Sequence, residues 1–141
     1  MELDFVCFAQ ASAEAGGLLD VLGLGWRSFQ VDSYPASFRA VLVLATEMEA
    51  WEAVLPHRLR VDYLDETGQE LGRGIDLDLQ FQPGATRFLQ AFDLSHLQLT
   101  RDGDYWAEVW LDGTKARDLS FHVQQAARPR RGISQRASRA D

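Results

Sequence analysis

Trp106, Glu108 and Trp110 occupy alternate positions of the segment Tyr105–Leu111, a spacing that in a β-strand sends all three side chains from one face. Two large aromatic rings flanking a carboxylate make a platform that anchors a partner protein, docks a second copy of the chain, or stacks on a sugar ring. These three residues are the candidate interaction surface. The competing reading is a covered face, with the Thr46–Pro56 segment or the aliphatic stems of Lys115 and Arg117 lying over the rings.

Other chemistry-bearing residues are sparse. The three histidines, His57, His96 and His122, have no metal-ligand spacing, and Cys7 is the only thiol, set in the apolar run Phe5–Ala9 where it reads as a small core residue. Cys7 with His57 makes a nucleophilic pair only if the fold brings them together. Asp76 and Asp78 share one face of a strand pattern, which suits acid–base work or, more simply, a solvated edge. Asp102-Gly103-Asp104 offers two carboxylates, with Asp65 or Glu66 as further oxygens, but calcium takes six or more ligands and a tight turn accounts for the same residues. Gly23-x-Gly25-x-x-Ser28 resembles a dinucleotide-binding glycine loop. Such a loop needs a helix N-terminus directly after it, whereas Trp26, Phe29 and Val31 continue as strand. No catalytic, metal-binding or cofactor-binding residue is therefore assigned, and no cofactor is expected.

The elements that must position the tryptophans read as strands. Short apolar-alternating runs recur with turn residues between them, and helical periodicity is nearly absent. Phe38–Ala45 is apolar on both parities, as in a central strand covered on both faces. Arg58–Asp65 and Leu71–Phe81 read as a hairpin across Glu66, Thr67 and Gly68; Ser12–Gly17 reads as a loop, and Gly23 and Gly25 as a bulge or close backbone approach. Thr46 and Glu49 match a capping box, so a short helix is expected near 47–53, stopped by Pro56. The turn at Thr100–Gly103 followed by Tyr105 is like the corner of immunoglobulin-like domains, where a Tyr caps the sandwich through its hydroxyl; Ala107 stands where a disulfide-bonded member carries Cys. The expected fold is all-β: an antiparallel immunoglobulin-like β-sandwich of about eight strands.

The closing hairpin contains a conflict of parity. Asp112-Gly113 invites a two-residue turn, but strict pairing from it sets Trp106 opposite Leu119 and places Leu119, Phe121 and Val123 on the tryptophan face. Either the loop is odd in length or a bulge restores one common core, or the tryptophans are themselves core. The bulged arrangement is the one expected.

Size and charge bound the rest. A chain of 141 residues buries roughly two-thirds of the surface its unfolded form exposes, enough for one self-sufficient domain. The whole-chain charge of −7 divides unequally: five arginines against Asp141 give 126–141 a charge of +4, leaving −11 on the rest. We read 1–125 as the sandwich domain and 126–141 as a disordered Arg-rich tail with almost no large apolar side chain. The acidic body opposes nucleic-acid binding, and the arginines of the tail have no aromatics among them. The longest nearly uncharged apolar run, Ala40–Ala45, is too short to cross a bilayer. The acidic start, Glu2 and Asp4, lies where a secretory leader carries positive charge, so a cytoplasmic location is expected.

Met1–Phe5, Ala9-Gln10-Ala11, Gly17-Leu18 and Leu22-Gly23-Leu24-Gly25-Trp26 together resemble the opening of an uncharacterised bacterial family of small single-domain proteins. His57–Val61 with Asp65–Gly68, and Gly103–Tyr105 with Leu111–Gly113, are similar to its later landmarks, so the likeness spans roughly 1–124. That resemblance implies a cytoplasmic sandwich and brings no site residue. Aromatic placement without catalytic groups makes a non-enzymatic protein-interaction or assembly module the expected function, with an unknown protein partner or self-association. A carbohydrate-binding module is the alternative, and a hydrolase comes third.

Overall fold

The computed structural model describes residues 1–127, which form twelve strands and one short 3-10 helix. The strands are β1 (Glu2–Ala9), β2 (Ala11–Ala15), β3 (Leu18–Leu22), β4 (Ser28–Val31), β5 (Ala36–Ser37), β6 (Val41–Glu47), β7 (His57–Leu64), β8 (Ile75–Leu79), β9 (Arg87–Asp93), β10 (Gln98–Leu99), β11 (Gly103–Leu111) and β12 (Thr114–Gln125). A three-stranded sheet, β1-β6-β9, packs on a five-stranded sheet, β4-β12-β11-β7-β8. Pairing is antiparallel except for β4, which runs parallel to β12. This is an all-β, immunoglobulin-like sandwich. Its corner tyrosine is in place: the Tyr105 hydroxyl donates to the Arg101 carbonyl at 2.6 Å, pinning the turn before β11 to the strand.

The closing hairpin resolves its parity conflict with both devices at once. Asp112 and Gly113, at φ of 50° and 81°, make the tight turn, pairing Leu111 with Thr114 and Trp110 with Lys115. Ala116 is then left unpaired, because the next pair is Val109 with Arg117. That single extra residue returns Tyr105 opposite Phe121 and Gly103 opposite Val123, so the buried Tyr105, Ala107, Val109, Phe121 and Val123 share one core face.

Between the sheets, Phe38 stacks on Phe121 at 4.6 Å, with Phe8, Trp26 and Phe29 edge-on or stacked around them. Burying each such side chain contributes about 1.5–3 kcal/mol. β6 is central in its sheet and buried on both parities, as its composition predicts. Val6, Phe8, Leu42 and Leu44 face the core, whereas Ala9, Val43 and Ala45 are buried outside it, on the opposite face of the sheet. On that side, Ser12 and Leu19 of the β2–β3 hairpin line one hollow with Leu89 and Ala91 of β9, and Ser12 and Val41 line another.

Several expectations need correcting. Ser12–Gly17 is not a loop; β2 pairs residue for residue with β3 around Gly16 and Gly17, whose positive φ values suit a tight turn. The capping box does not form. β6 extends through Glu47, burying Thr46 within the sheet, and Glu49 precedes the 3-10 helix Ala50–Val54 without a side-chain cap. The expected strand Leu71–Phe81 shortens to β8, and Gly74 just before it lies against the β7 backbone, where an added Cβ would stand 2.3 Å from the Val61 oxygen. The strands beyond those expected are β2 and the two-residue pair β5–β10. The Arg-rich tail, from Arg128 on, lies outside the described residues.

Candidate functional site

Trp106, Glu108 and Trp110 emerge from the outer face of the five-stranded sheet, all half-buried. Across on β7, Trp106 faces Leu64, Glu108 faces Asp62 and Trp110 faces Arg60. The Arg60 guanidinium lies 4.6 Å from the Trp110 ring centre, a cation–π contact that occupies that ring, and the indole N–H of Trp110 is enclosed without an acceptor among the described residues. Glu108 is met by Lys115 at 3.5 Å, and Lys115 also reaches Asp118 at 2.8 Å, which holds its ammonium pKa above the usual lysine range. Over Trp110 the cover is an arginine of the neighbouring strand. Four strand residues separate the two rings by about 13 Å, and a single sugar ring does not bridge them.

The other candidates are drawn into structure. Cys7 pairs with Val43 on the far sheet and burial pushes its thiol pKa up, while His57 opens β7 in the facing sheet; the fold does not bring them together. Asp102 accepts from the Tyr34 hydroxyl and from the Gln125 N–H at 2.8 Å, which hold its carboxyl below the usual range. Asp104 accepts from His122 at 2.9 Å, and its own N–H donates to Glu66. Asp76 is gripped by Arg58 through two bonds of 2.7 Å and its pKa falls accordingly. Gly23 and Gly25 precede a strand, not a helix, and Gly23 lies close against the Gln10 side chain. His57 is buried with both ring nitrogens engaged, Nδ1 to Asp112 at 2.9 Å and Nε2 to the Glu52 carbonyl at 2.7 Å.

One surface escaped the sequence. The 3-10 helix turns Trp51 and Val54 outward, 67% and 69% exposed, with Leu55 beside them. Val54 and Leu55 line a groove of about 710 Å³, with Pro56 and His57 on their side and Asp78, Leu79, Gln80 and Phe81 on the other. Phe81 packs edge-on against both His57 and Phe88 of β9, so the groove runs along the side of the sandwich where β8 and β9 are the outermost strands. Its only advance signal is a Trp in a short segment that lacks an apolar stripe.

A family model matches residues 4–124, from β1 to the penultimate residue of β12. The chain belongs to DUF6941, a family of unknown function. The DUF6941 match covers both sheets of the sandwich, including the 3-10 helix and the tryptophan stripe. No curated protein matches the chain. Among solved structures, an immunoglobulin-like protein from Pseudomonas aeruginosa is similar at 12% identity and a TM-score of 0.47, over 87% of this chain and 95% of that one. No helix among the described residues is long and apolar enough to cross a membrane.

Proposed function

We propose that this DUF6941 domain is a non-enzymatic protein-interaction module whose main contact surface is the Trp51–Val54–Leu55 patch with its adjoining groove. The observation that carries this reading is the exposure of Trp51: an indole two-thirds in water on the same short helix as the exposed Val54, which with Leu55 lines the adjoining groove. Contiguous exposed apolar groups of this kind favour burial against a partner, and Trp is among the residues that dominate binding energy there. The chemistry-bearing groups, by contrast, are already satisfied by neighbours: His57 by Asp112, Asp104 by His122 and Asp76 by Arg58. The Trp106–Glu108–Trp110 stripe is a second, flatter contact face in this reading.

Two double variants test the assignment. Trp51→Ala with Val54→Ser removes the patch, and Trp106→Ala with Trp110→Ala removes the stripe. Affinity capture from native extract, with near-UV circular dichroism to confirm folding, is expected to lose its partners with the first pair. Capture unchanged by the folded patch variant and lost with the folded stripe variant would transfer the contact surface to the sheet face; capture unchanged by both would sink the module reading.

A further inference from the structure

We propose that β8 is the docking edge for an extended, basic segment of a partner chain, which adds to the five-stranded sheet as a sixth strand beside Trp51. This rests on the Trp51 patch being a contact surface and specifies the form and charge of what binds there.

The first ground is backbone chemistry. β8 is the last strand of its sheet, bonded to β7 alone. In an antiparallel pair every second residue turns its N–H and C=O away from the neighbour. Among the described residues no backbone group meets those of Ile75–Leu79 on that side. The second ground is width. A three-stranded sheet cannot cover the inner face of a five-stranded one, and the overhang falls on β8: Leu77 shares its face with the fully buried Leu59, yet is 41% exposed. A strand laid along β8 would satisfy the free backbone groups, and its inward side chains would cover Leu77 and enter the groove between Val54 and Phe81.

Charge decides what kind of strand. With the apolar side chains kept inward, pairing β8 with the β8 of a second copy sets Asp76 or Asp78 opposite an aspartate of that copy, whether the strands run parallel or antiparallel. Like charges directly opposite are destabilising, and charged side chains on an edge strand guard against self-pairing. Arg58 forms its ion pair with Asp76 and lies directly opposite Asp78, which has no ion pair of its own among the described residues, and 1–125 carries −11. The same carboxylates that bar a second copy favour a strand with Lys or Arg on its outer face and β-branched or aliphatic residues on its inner one.

The probe is the peptide acetyl-Val-Arg-Val-Arg-Val-Arg-Val-amide, added to the full chain and followed by amide hydrogen exchange at β8 and by Trp51 emission. Exchange within 75–79 is expected to slow at least about tenfold. The peptide with Glu replacing Arg is expected to bind about tenfold more weakly, a preference that Asp78→Arg reverses. A copy N-methylated on alternate backbone nitrogens keeps every side chain and is expected not to bind. Equal binding by the N-methylated copy, or unprotected β8 amides with the Arg peptide in excess, overturns strand addition. Should Trp51 emission respond while β8 stays unprotected, the Trp51 patch survives and strand addition fails. Protection of β8 that Trp51→Ala leaves unchanged retains the strand site and removes the patch.

Discussion

His57 and Asp112 are joined at 2.9 Å across the seam between the start of β7 and the β11–β12 turn. The second imidazole nitrogen points at the Glu52 carbonyl, 2.7 Å away. Both neighbours are acceptors, so both bonds are made only when the ring carries two protons. Burial works against that charge, but the Asp112 carboxylate and the Glu52 carbonyl prevail and raise the His57 pKa above its ordinary value. Burial opposes the Asp112 charge too, yet the bonds from His57 and the Arg58 N–H hold its carboxyl below the usual range. The pair ties the 3-10 helix, β7 and the hairpin turn together at one end of the sandwich.

The stability supplied by this tie depends on pH with a definite sign. An unfolded imidazole titrates near about 6.5, so the His57 contribution is complete below that value and is lost as pH rises through the higher folded pKa. Asp112 acts oppositely: its contribution is present above the ordinary carboxylate pKa and is lost as pH falls through the lowered folded one. His57→Gln is expected to cost about 1–2 kcal/mol in mildly acidic buffer, with the gap to wild type narrowing as pH rises past the imidazole range. Urea unfolding at a series of pH values measures it, and a gap that widens on the alkaline side contradicts the charge assignment.

Tyr105→Phe deletes only the hydroxyl that binds the Arg101 carbonyl. The ring stays stacked on Phe121. The loss is expected to be about 1–2 kcal/mol, the cost of a partly buried carbonyl left without its donor, read as a lower urea midpoint at unchanged slope.

Arg60→Ala uncovers Trp110. Stability is expected to fall by no more than about 1 kcal/mol, while acrylamide quenching of the tryptophan fluorescence rises. Unchanged quenching means that the guanidinium does not screen the ring.

Core and patch are expected to respond in opposite ways. Phe38→Ala empties the centre of the aromatic cluster and is expected to cost about 3–5 kcal/mol. Trp51→Ala should change stability by less than about 0.5 kcal/mol, since its ring is mostly in water. Thermal unfolding of the two variants compares them directly; a large loss from Trp51→Ala would make that residue structural.

Deletion of Ala116 removes the bulge but keeps the turn. Phe121 and Val123 then swing to the tryptophan face, and the chain is expected to lose cooperative unfolding. A sharp urea transition in the deletion variant would show that the hairpin can restore its phase elsewhere.

What was legible in the sequence was legible because it was local. The turn at Asp112-Gly113, the corner at Tyr105 and the double-sided burial of β6 follow from residue types at short spacing. Even the bulge could be anticipated, since the apolar phases of β11 and β12 disagree by one residue. β2 was not legible: Ala-Ser-Ala-Glu-Ala has no strand preference, and its pairing comes from β3 and from the sheet beneath. The capping box at Thr46 failed because a buried place between β1 and β9 outweighs one capping bond. The Trp106–Glu108–Trp110 face was found by alternation, but the guanidinium over Trp110 comes from a residue 50 positions earlier, Arg60. The exposure of Trp51 depends on which sheet edges remain uncovered, and that is a property of the assembled sandwich.

Ala116 also governs how this hairpin can change length. The core reads β12 only from Leu119 inward, whereas the tip beyond the bulge carries Lys115 and the two turn residues. Adding or removing two residues at the tip preserves the phase of Phe121 and Val123, while a change of one residue needs either the loss of this bulge or the gain of another. Ala116 therefore acts as a parity bit between the tip and the interior, and odd-length changes at the tip must be accompanied by a compensating change along the strand.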